Sequence, residues 1–259
     1  MDRRQYLRRV AAGATLGTVA TAGCTSLGGG GGSNASPNTI LPKPDLDAAP
    51  EKYPYPQWSQ QLPEVTLPAA LAGREVTTTE FDTPLALTFI FTNCMTACPV
   101  LTLALQRAQQ DAIDGGYADQ ATFAEISFDP ARDTPAAFRD YADDRHIDLD
   151  ADNWYFLLPE SEQRARSVVT DEFGVFFERT TMTPSGTATG NATSTATDTA
   201  TPTPAGTPTG TPAAGENYMF NHTTLILLVN GDNYVERAYR DRNAAVTQLT
   251  KDFQKLVDA

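Results

Sequence analysis

The stretch LALTFIFTNCMTACPVLTLALQRAQQDAI, residues 85–113, joins an apolar segment to a helical one through a pair of cysteines. Residues 85–92 are almost continuously apolar, which is typical of a strand buried on both faces of a sheet. Residues 99–113 have helical spacing, and their first residue, a proline, suits a first helical turn. The sequence therefore predicts a buried strand that leads through Cys94 and Cys98 directly into a helix.

The other elements predicted from the sequence are strands that alternate with helices. Pro135 in a first turn and Thr134 as its N-cap mark the start of the second helix. The expected elements are strands at 121–129 and 154–159, helices at 134–146 and 161–174, a hairpin over 223–240 and a last helix at about 243–257. This order predicts an α/β sandwich around a mixed central sheet, and it is compatible with a thioredoxin-like fold.

The N-terminus has the layout of an export signal. Arg3 and Arg4, followed by Leu7, fit a twin-arginine signal, and the small residues leading to Cys24 resemble a lipobox. In a lipobox the cysteine is lipidated and becomes the first residue of the mature protein. We therefore expect residues 1–23 to be a twin-arginine lipoprotein signal and the protein to be lipid-anchored at the extracellular face of the cell membrane.

Two stretches of low complexity divide the remainder of the chain. Residues 24–58 are rich in glycine and proline, which predicts a flexible linker that starts at the lipidated cysteine. Residues 180–215 consist mostly of Thr, Pro, Gly and Ala, and this composition buries too little apolar surface to fold. The sequence thus predicts one globular domain over 59–259 with a disordered Thr/Pro-rich insertion.

The charge of the chain is strongly negative. The net charge is −13, and it becomes −16 without residues 1–23, which contain four arginines and one aspartate. The chain has four lysines and no basic patch outside the signal, so nucleic acid is not expected as a partner. An acidic, lysine-poor composition is typical of proteins kept soluble in high salt, which predicts a halophilic source. Unfolding measured against KCl concentration tests this, since full stability in dilute buffer would contradict it.

The two cysteines outside the signal admit more than one chemistry. The C-x-x-x-C spacing of Cys94 and Cys98 differs from the C-x-x-C of dithiol redox centres, and a structural disulfide across so short a loop would stabilise little. Cys98 lies at the expected helix N-terminus, where the helix dipole favours thiolate. Thiolate is both the nucleophile of disulfide exchange and a ligand for Cu(I) or Zn. A redox couple and a metal site therefore remain open.

A metal site needs a third ligand, and the chain has two histidines. His146 lies in a charged segment near a helix end, which is typical of solvated surface. His222 directly precedes an apolar strand, in a region that lies beside the cysteine turn in a thioredoxin-like sheet. His222 is therefore the candidate ligand, with a buried histidine bonded to backbone as the alternative. Met95 also offers a donor, but packing against the core is the commoner role of a methionine.

Three motifs resemble, in order and at similar spacing, those of the SCO/SenC family of cytochrome c oxidase assembly factors. They are FTNCMTACP (91–99), ISFDPARDTPAAFRDYA (126–142) and FNHTTLILLVNGDNYV (220–235). The resemblance covers most of residues 60–259. It implies a thioredoxin-like fold that binds copper through Cys94, Cys98 and His222. It also implies a role for Asp129 beside these ligands or facing a partner.

The aspartates of the second motif have an alternative, purely structural interpretation. The motifs also depart from the family pattern at two positions. Asp129 alternatively begins an Asp-Pro turn, after which Asp133 and Thr134 cap the next helix. Met95 stands where the family has proline, and Asn221 stands where the family has aspartate. These departures leave the implied copper ligands in place.

Together with the lipoprotein signal, the resemblance implies a membrane-anchored copper chaperone rather than an enzyme. It would deliver copper to the CuA-type centre of a haem–copper oxidase subunit, and a thiol reductant would keep its cysteines reduced for metal binding. The alternative is a thiol–disulfide oxidoreductase that reduces the copper-ligand cysteines of that subunit and uses Cys94 and Cys98 as attacking and resolving thiols. A lipoprotein binding module with an inert disulfide is a third interpretation.

Overall fold

The computed structural model describes residues 38–181, 218–240 and 242–259. The predicted signal, the predicted lipidation site Cys24, the first part of the predicted linker and residues 182–215 of the predicted insertion lie outside the described residues. Within the described ranges, no helix combines the length and apolar character needed to cross a bilayer.

A mixed seven-stranded sheet forms the centre of the domain. The strands of the described residues are β1 (Thr66–Ala69), β2 (Arg74–Thr77), β3 (Leu85–Ile90), β4 (Thr122–Ser127), β5 (Trp154–Leu157), β6 (Phe177–Thr181), β7 (Tyr218–His222), β8 (Ile226–Val229) and β9 (Val235–Tyr239). The order in the sheet is β2-β1-β5-β4-β3-β8-β9. The central strands β3, β4 and β5 run parallel, and the outer pairs are antiparallel. The predicted mixed sheet is confirmed.

Helices cover both faces of this sheet. They are α1 (Cys98–Gly115), α2 (Pro135–Arg145), α3 (Glu162–Arg166), which continues into a π-helical turn (Ser167–Glu172), and α4 (Arg242–Val257). On one face, Phe123 of β4 stacks on Phe253 of α4, and Phe156 of β5 stacks on Phe138 of α2. Phe89 points to the opposite face and packs against the end of the π-helical turn. The sequence therefore identified an α/β sandwich, although it predicted one regular helix over 161–174.

The ends of α2 follow the rules of helix capping. The hydroxyl of Thr134 accepts a hydrogen bond from the N–H of Ala137 at 3.2 Å, as the sequence predicted. The helix ends at His146, which has a left-handed backbone with φ 55° and is exposed. The expectation that His146 is a solvated residue at a helix end is therefore confirmed.

The two-stranded ribbon of β6 and β7 was not predicted from the sequence. These strands pair antiparallel, with Phe177 opposite His222 and Thr181 opposite Tyr218. The predicted insertion over 180–215 was therefore wrong at its start, because β6 continues to Thr181. Thr181 and Tyr218 form the end of the ribbon that is remote from His222.

The structure also differs from the expected flexible linker over residues 24–58. From residue 38 onwards this segment contacts the domain, and the side chains of Leu41, Tyr55 and Trp58 are buried. The N–H groups of Ile40 and Leu41 donate to the buried carboxylate of Glu236 at 2.7 and 2.9 Å. The apolar side chains stabilise this docking by leaving water, which a composition rich in proline did not reveal.

Candidate metal centre

The three residues proposed as ligands from the sequence lie together at one end of the sheet. One ligand atom each of Cys94, Cys98 and His222 lies within 4.8 Å of the other two. Sγ of Cys98 is 3.7 Å from Nε2 of His222. Both cysteines are buried, with 2% and 0% exposure, and His222 is half-buried. The fold thus brings the β3–α1 connection next to the last residue of β7.

At the N-terminus of α1, a cysteine sulfur takes the place of the side-chain oxygen that usually caps a helix. Ala97 precedes α1 and offers no side-chain cap. Instead, the N–H of Cys98 points at Sγ of Cys94 at 3.4 Å, and the N–H of Cys94 donates to the carbonyl oxygen of Phe91 at 3.1 Å. The N–H groups and the dipole of a helix start stabilise negative charge. The loop therefore favours a thiolate at Cys94.

The two thiols have opposite shifts in pKa. A hydrogen bond from the Cys98 thiol, together with the backbone N–H groups of Thr96 and Cys98, lowers the pKa of Cys94 to about 3, although burial opposes the shift. Burial raises the pKa of Cys98 well above its usual value. The expectation of a thiolate at Cys98 is therefore wrong, because desolvation outweighs the helix dipole there. The reduced pair holds one thiolate and one thiol, so that binding a metal to both sulfurs releases a proton.

The imidazole of His222 is oriented for metal binding through Nε2. Its Nδ1 lies 3.2 Å from the carbonyl oxygen of Thr223. Since a carbonyl oxygen only accepts hydrogen bonds, this contact places the proton on Nδ1 and directs the lone pair of Nε2 towards Cys98. The ring also packs against Phe128 and edge-on to Phe91, with centroids 5.0 and 6.2 Å apart. His222 thus bonds to the backbone through Nδ1 while its Nε2 is placed to bind a metal, so the two interpretations of this residue are compatible.

Aromatic side chains form the floor of the site. Phe91 and Phe128 follow β3 and β4, and they contact Phe220 of β7 at centroid distances of 5.2 and 5.3 Å. Phe177 of β6 stacks on Phe128 at 5.1 Å. These contacts hold the ribbon, and with it His222, against the end of the sheet. An apolar floor also limits the access of water, which strengthens electrostatic interactions at the site.

Asp129 supports the strand that ends in His222. Its side chain is 1% exposed, accepts a hydrogen bond from the hydroxyl of Tyr218 at 2.7 Å and forms an ion pair with Arg132 at 2.5 Å. Arg132 also donates to the carbonyl oxygen of Tyr218 and lies 3.6 Å from the centroid of its ring. The structure does not bring Asp129 into hydrogen-bond contact with a cysteine or histidine of the site, and its burial does not suit a partner-facing role.

Asp133 belongs to the surroundings of the site, although its place in the sequence predicted a helix cap. One oxygen of its carboxylate accepts from both the N–H and the hydroxyl of Thr92, at 3.0 and 2.6 Å. The other oxygen accepts from the hydroxyl of Ser127 at 2.6 Å. Burial raises the pKa of Asp133 to about 6. Asp133 therefore holds the start of the loop that contains Cys94, and the D-P-x-x-D-T motif was its signal in the sequence.

Fold and site together define a class of protein: a thioredoxin-like domain with a buried two-thiol, one-imidazole cluster after its first parallel strand. The family comparison agrees with this class, since residues 69–258 match the SCO1/SenC family. This match covers well over half of the chain. The protein belongs to the SCO1/SenC family.

Solved structures of several members of this family are similar to the chain. A SCO1/SenC family lipoprotein from Bacillus anthracis has 19% identity and a TM-score of 0.53, with 77% of this chain and 95% of that chain covered. Apo Sco1 from Thermus thermophilus has 20% identity and a TM-score of 0.52, with coverages of 79% and 97%. Arabidopsis thaliana ScoI with copper bound has 17% identity and a TM-score of 0.49, with coverages of 76% and 98%. No protein of curated function matches the sequence significantly. The first two similarities support the fold.

Proposed function

We propose that the protein is a copper chaperone that holds one Cu(I) ion between Cys94, Cys98 and His222. The observation that carries this proposal is the buried cluster of two sulfurs and an oriented imidazole within 4.8 Å. Thiolate ligands select soft metals such as Cu(I) and Zn. Structural zinc sites take four protein ligands, whereas the cluster contains three among the described residues. The donor set therefore favours Cu(I).

The recipient of the copper is, in this proposal, the CuA-type centre of a cytochrome c oxidase subunit. Membership in the SCO1/SenC family supports this destination. A chaperone of this kind also needs a thiol reductant as a second partner, since copper binds only the reduced cysteines. Cys94 and Cys98 are reduced in the structure, which is the state that binds metal.

A thiol–disulfide oxidoreductase is the second candidate function. The low pKa of Cys94 favours it, because thiolate is the attacking species in disulfide exchange. Attack also requires access to the partner's disulfide, and Cys94 is only 2% exposed. Exchange further makes no use of the imidazole that lies 3.7 Å from Cys98. Burial and the position of His222 therefore favour the chaperone.

Titration of the reduced full chain with Cu(I) in the absence of oxygen tests the proposed function. We expect one copper per chain, with X-ray absorption giving two sulfur ligands and one nitrogen ligand. The double variant Cys94→Ser/Cys98→Ser is the control and is expected to lose binding. If copper does not bind while the chain reduces an oxidised oxidase subunit, the oxidoreductase function replaces the chaperone.

A lipid on Cys24 holds the chaperone at the extracellular face of the membrane in this proposal. The twin-arginine signal and the lipobox of the sequence support it. We expect Cys24→Ser to move most of the exported protein from the membrane fraction to the medium, because a lost lipid anchor removes the main membrane contact. Washing wild-type membranes with high salt is the control for electrostatic adsorption. A Cys24→Ser protein that remains with the membrane argues against the anchor.

A further inference from the structure

Met95, between the two cysteines, is the most exposed large apolar side chain of the described residues. Its side chain is 85% exposed. The expectation that this methionine packs against the core is therefore wrong. The loop around it buries both neighbouring cysteines, so Met95 points away from the floor of the metal centre and into solvent. Single exposed apolar side chains are common on protein surfaces, so what distinguishes Met95 is its place between the two cysteines of the metal centre.

The position of Met95 coincides with the approach to the metal centre. Cys94 and Cys98 are almost completely buried, with 2% and 0% exposure, whereas Met95 and Thr96 between them are exposed, so this loop is the solvent-facing part of the metal centre. Met95 directly follows Cys94 in this loop. It makes no hydrogen bond to any described residue and lies outside the regular elements, since α1 begins at Cys98. Its side chain is therefore held neither by a hydrogen bond nor by the packing of a regular element.

The thioether of Met95 is a soft metal donor, whereas most other metal donors on this acidic surface are hard carboxylate oxygens. Thioether sulfur binds Cu(I), whereas carboxylates, which dominate this acidic chain, suit hard cations. Met219 is the other methionine of the described residues, and it is half-buried and packed against the core. In the described part of the chain, Met95 is therefore the exposed soft donor, and it is adjacent to the site where copper is expected.

We propose that Met95 is a transfer ligand, which binds Cu(I) during entry to and exit from the site but not in the stored state. This inference rests on the proposed function. In entry, a bond from the Met95 thioether to Cu(I) forms as one ligand of the copper donor leaves. The thiolate of Cys94, the sulfur of Cys98 after loss of its proton to solvent, and Nε2 of His222 then replace the remaining donor ligands and the thioether. The copper stays Cu(I), and no electron is transferred.

The variant Met95→Leu tests the proposal, since leucine keeps the size and apolar character of the side chain and removes the sulfur. Reduced full chain is mixed with the Cu(I)–bathocuproine disulfonate complex in a stopped-flow instrument, and loss of the coloured complex gives the rate of uptake. The reverse mixing gives the rate of release. An interaction that exists only during transfer changes both rates and leaves the equilibrium unchanged, so we expect both to fall about tenfold in Met95→Leu. Met219→Leu is the matched control and is expected to behave as wild type.

The outcomes separate this proposal from the function on which it rests. Equal rates in Met95→Leu and wild type, with copper still bound, overturn the role of Met95 and leave the chaperone intact. A variant that takes up copper at the normal rate but releases it faster also overturns it, because Met95 would then be a ligand of the stored state. A wild-type chain that takes no copper from the complex contradicts the proposed function and, with it, the transfer ligand.

Discussion

The variant His222→Ala is expected to bind Cu(I) at least about 100-fold more weakly than wild type, a loss of about 2.7 kcal/mol. The reason is the geometry of the imidazole. Its proton is held on Nδ1 by the carbonyl oxygen of Thr223, and its Nε2 lies 3.7 Å from Sγ of Cys98. Without this ring, two sulfurs remain, and no third donor belongs to the cluster of described residues. Affinity is measured by competition with a chromophoric Cu(I) chelator under reducing conditions.

Two further measurements make the result on His222→Ala specific. The other histidine provides the control, since His146→Asn removes an exposed imidazole and keeps a residue suited to the left-handed helix end. We expect His146→Asn to bind copper as wild type does. Both cysteines of His222→Ala should still react with a thiol reagent, which shows that the loop is intact. Wild-type affinity in His222→Ala would show that the assigned ligand set is wrong.

The variant Glu125→Gln is expected to gain stability relative to wild type as pH rises from 4.5 to about 8, and to keep that advantage at higher pH. Glu125 lies on β4, is fully buried and accepts one hydrogen bond, from the hydroxyl of Thr102 at 2.7 Å. Its second carboxylate oxygen has no hydrogen-bond partner among the described residues. Burial raises the pKa of Glu125 to about 8, although Thr102 and the charge of Arg145 oppose the shift. The folded protein therefore holds a neutral carboxyl group at pH 7.

The sign of the pH dependence follows from proton binding. In the unfolded chain this carboxyl group titrates near its ordinary pKa of 4.5. Between this value and about 8 the folded state binds more protons, so the free energy of unfolding falls by about 1.4 kcal/mol per pH unit. The stability that protonated Glu125 contributes is fully present below its pKa in the unfolded state. It is lost as pH rises through its pKa in the folded state. Glutamine does not titrate, so Glu125→Gln removes this loss.

Urea unfolding of Glu125→Gln and wild type across this pH range measures the effect. Asp133 has a raised pKa as well and contributes a loss of the same sign in both proteins, so their difference reports the loss due to Glu125 and its coupling to the charge of Asp133. The matched control is Glu75→Gln, an isosteric change at an exposed position of the edge strand β2. We expect its difference from wild type to stay constant with pH. A constant difference for Glu125→Gln as well would mean that the buried carboxyl group keeps its ordinary pKa.

Local patterns were sufficient to predict the class of fold and the three candidate ligands that the structure brings together. The apolar run over 85–92 required a strand buried on both faces, and the helix that follows it placed Cys94 and Cys98 at the carboxyl end of that strand. His222 followed from the scarcity of histidines and from its place before an apolar strand. These inferences succeeded because the period of hydrophobic residues and the chemistry of side chains are local properties.

Contacts between distant segments decided the rest of the site. The ribbon of β6 and β7 escaped prediction because its strands are short and are separated by residues 182–217. The docking of residues 38–58 was missed for a similar reason, since their partners include the distant β9 strand. Asp133 was assigned to a helix cap because its bonds to Thr92 cross between β-strand ends far apart in sequence.

The sequence by itself thus determined an α/β fold of the SCO1/SenC family with two cysteines and one histidine as candidate ligands. Only the tertiary structure decided that the pKa of Cys94 is lowered while that of Cys98 is raised, that burial raises the pKa of Glu125 and that Met95 stands in solvent. The physical reason is common to all three. Desolvation and hydrogen bonding depend on which groups surround a side chain in space, and spacing along the chain does not contain that information.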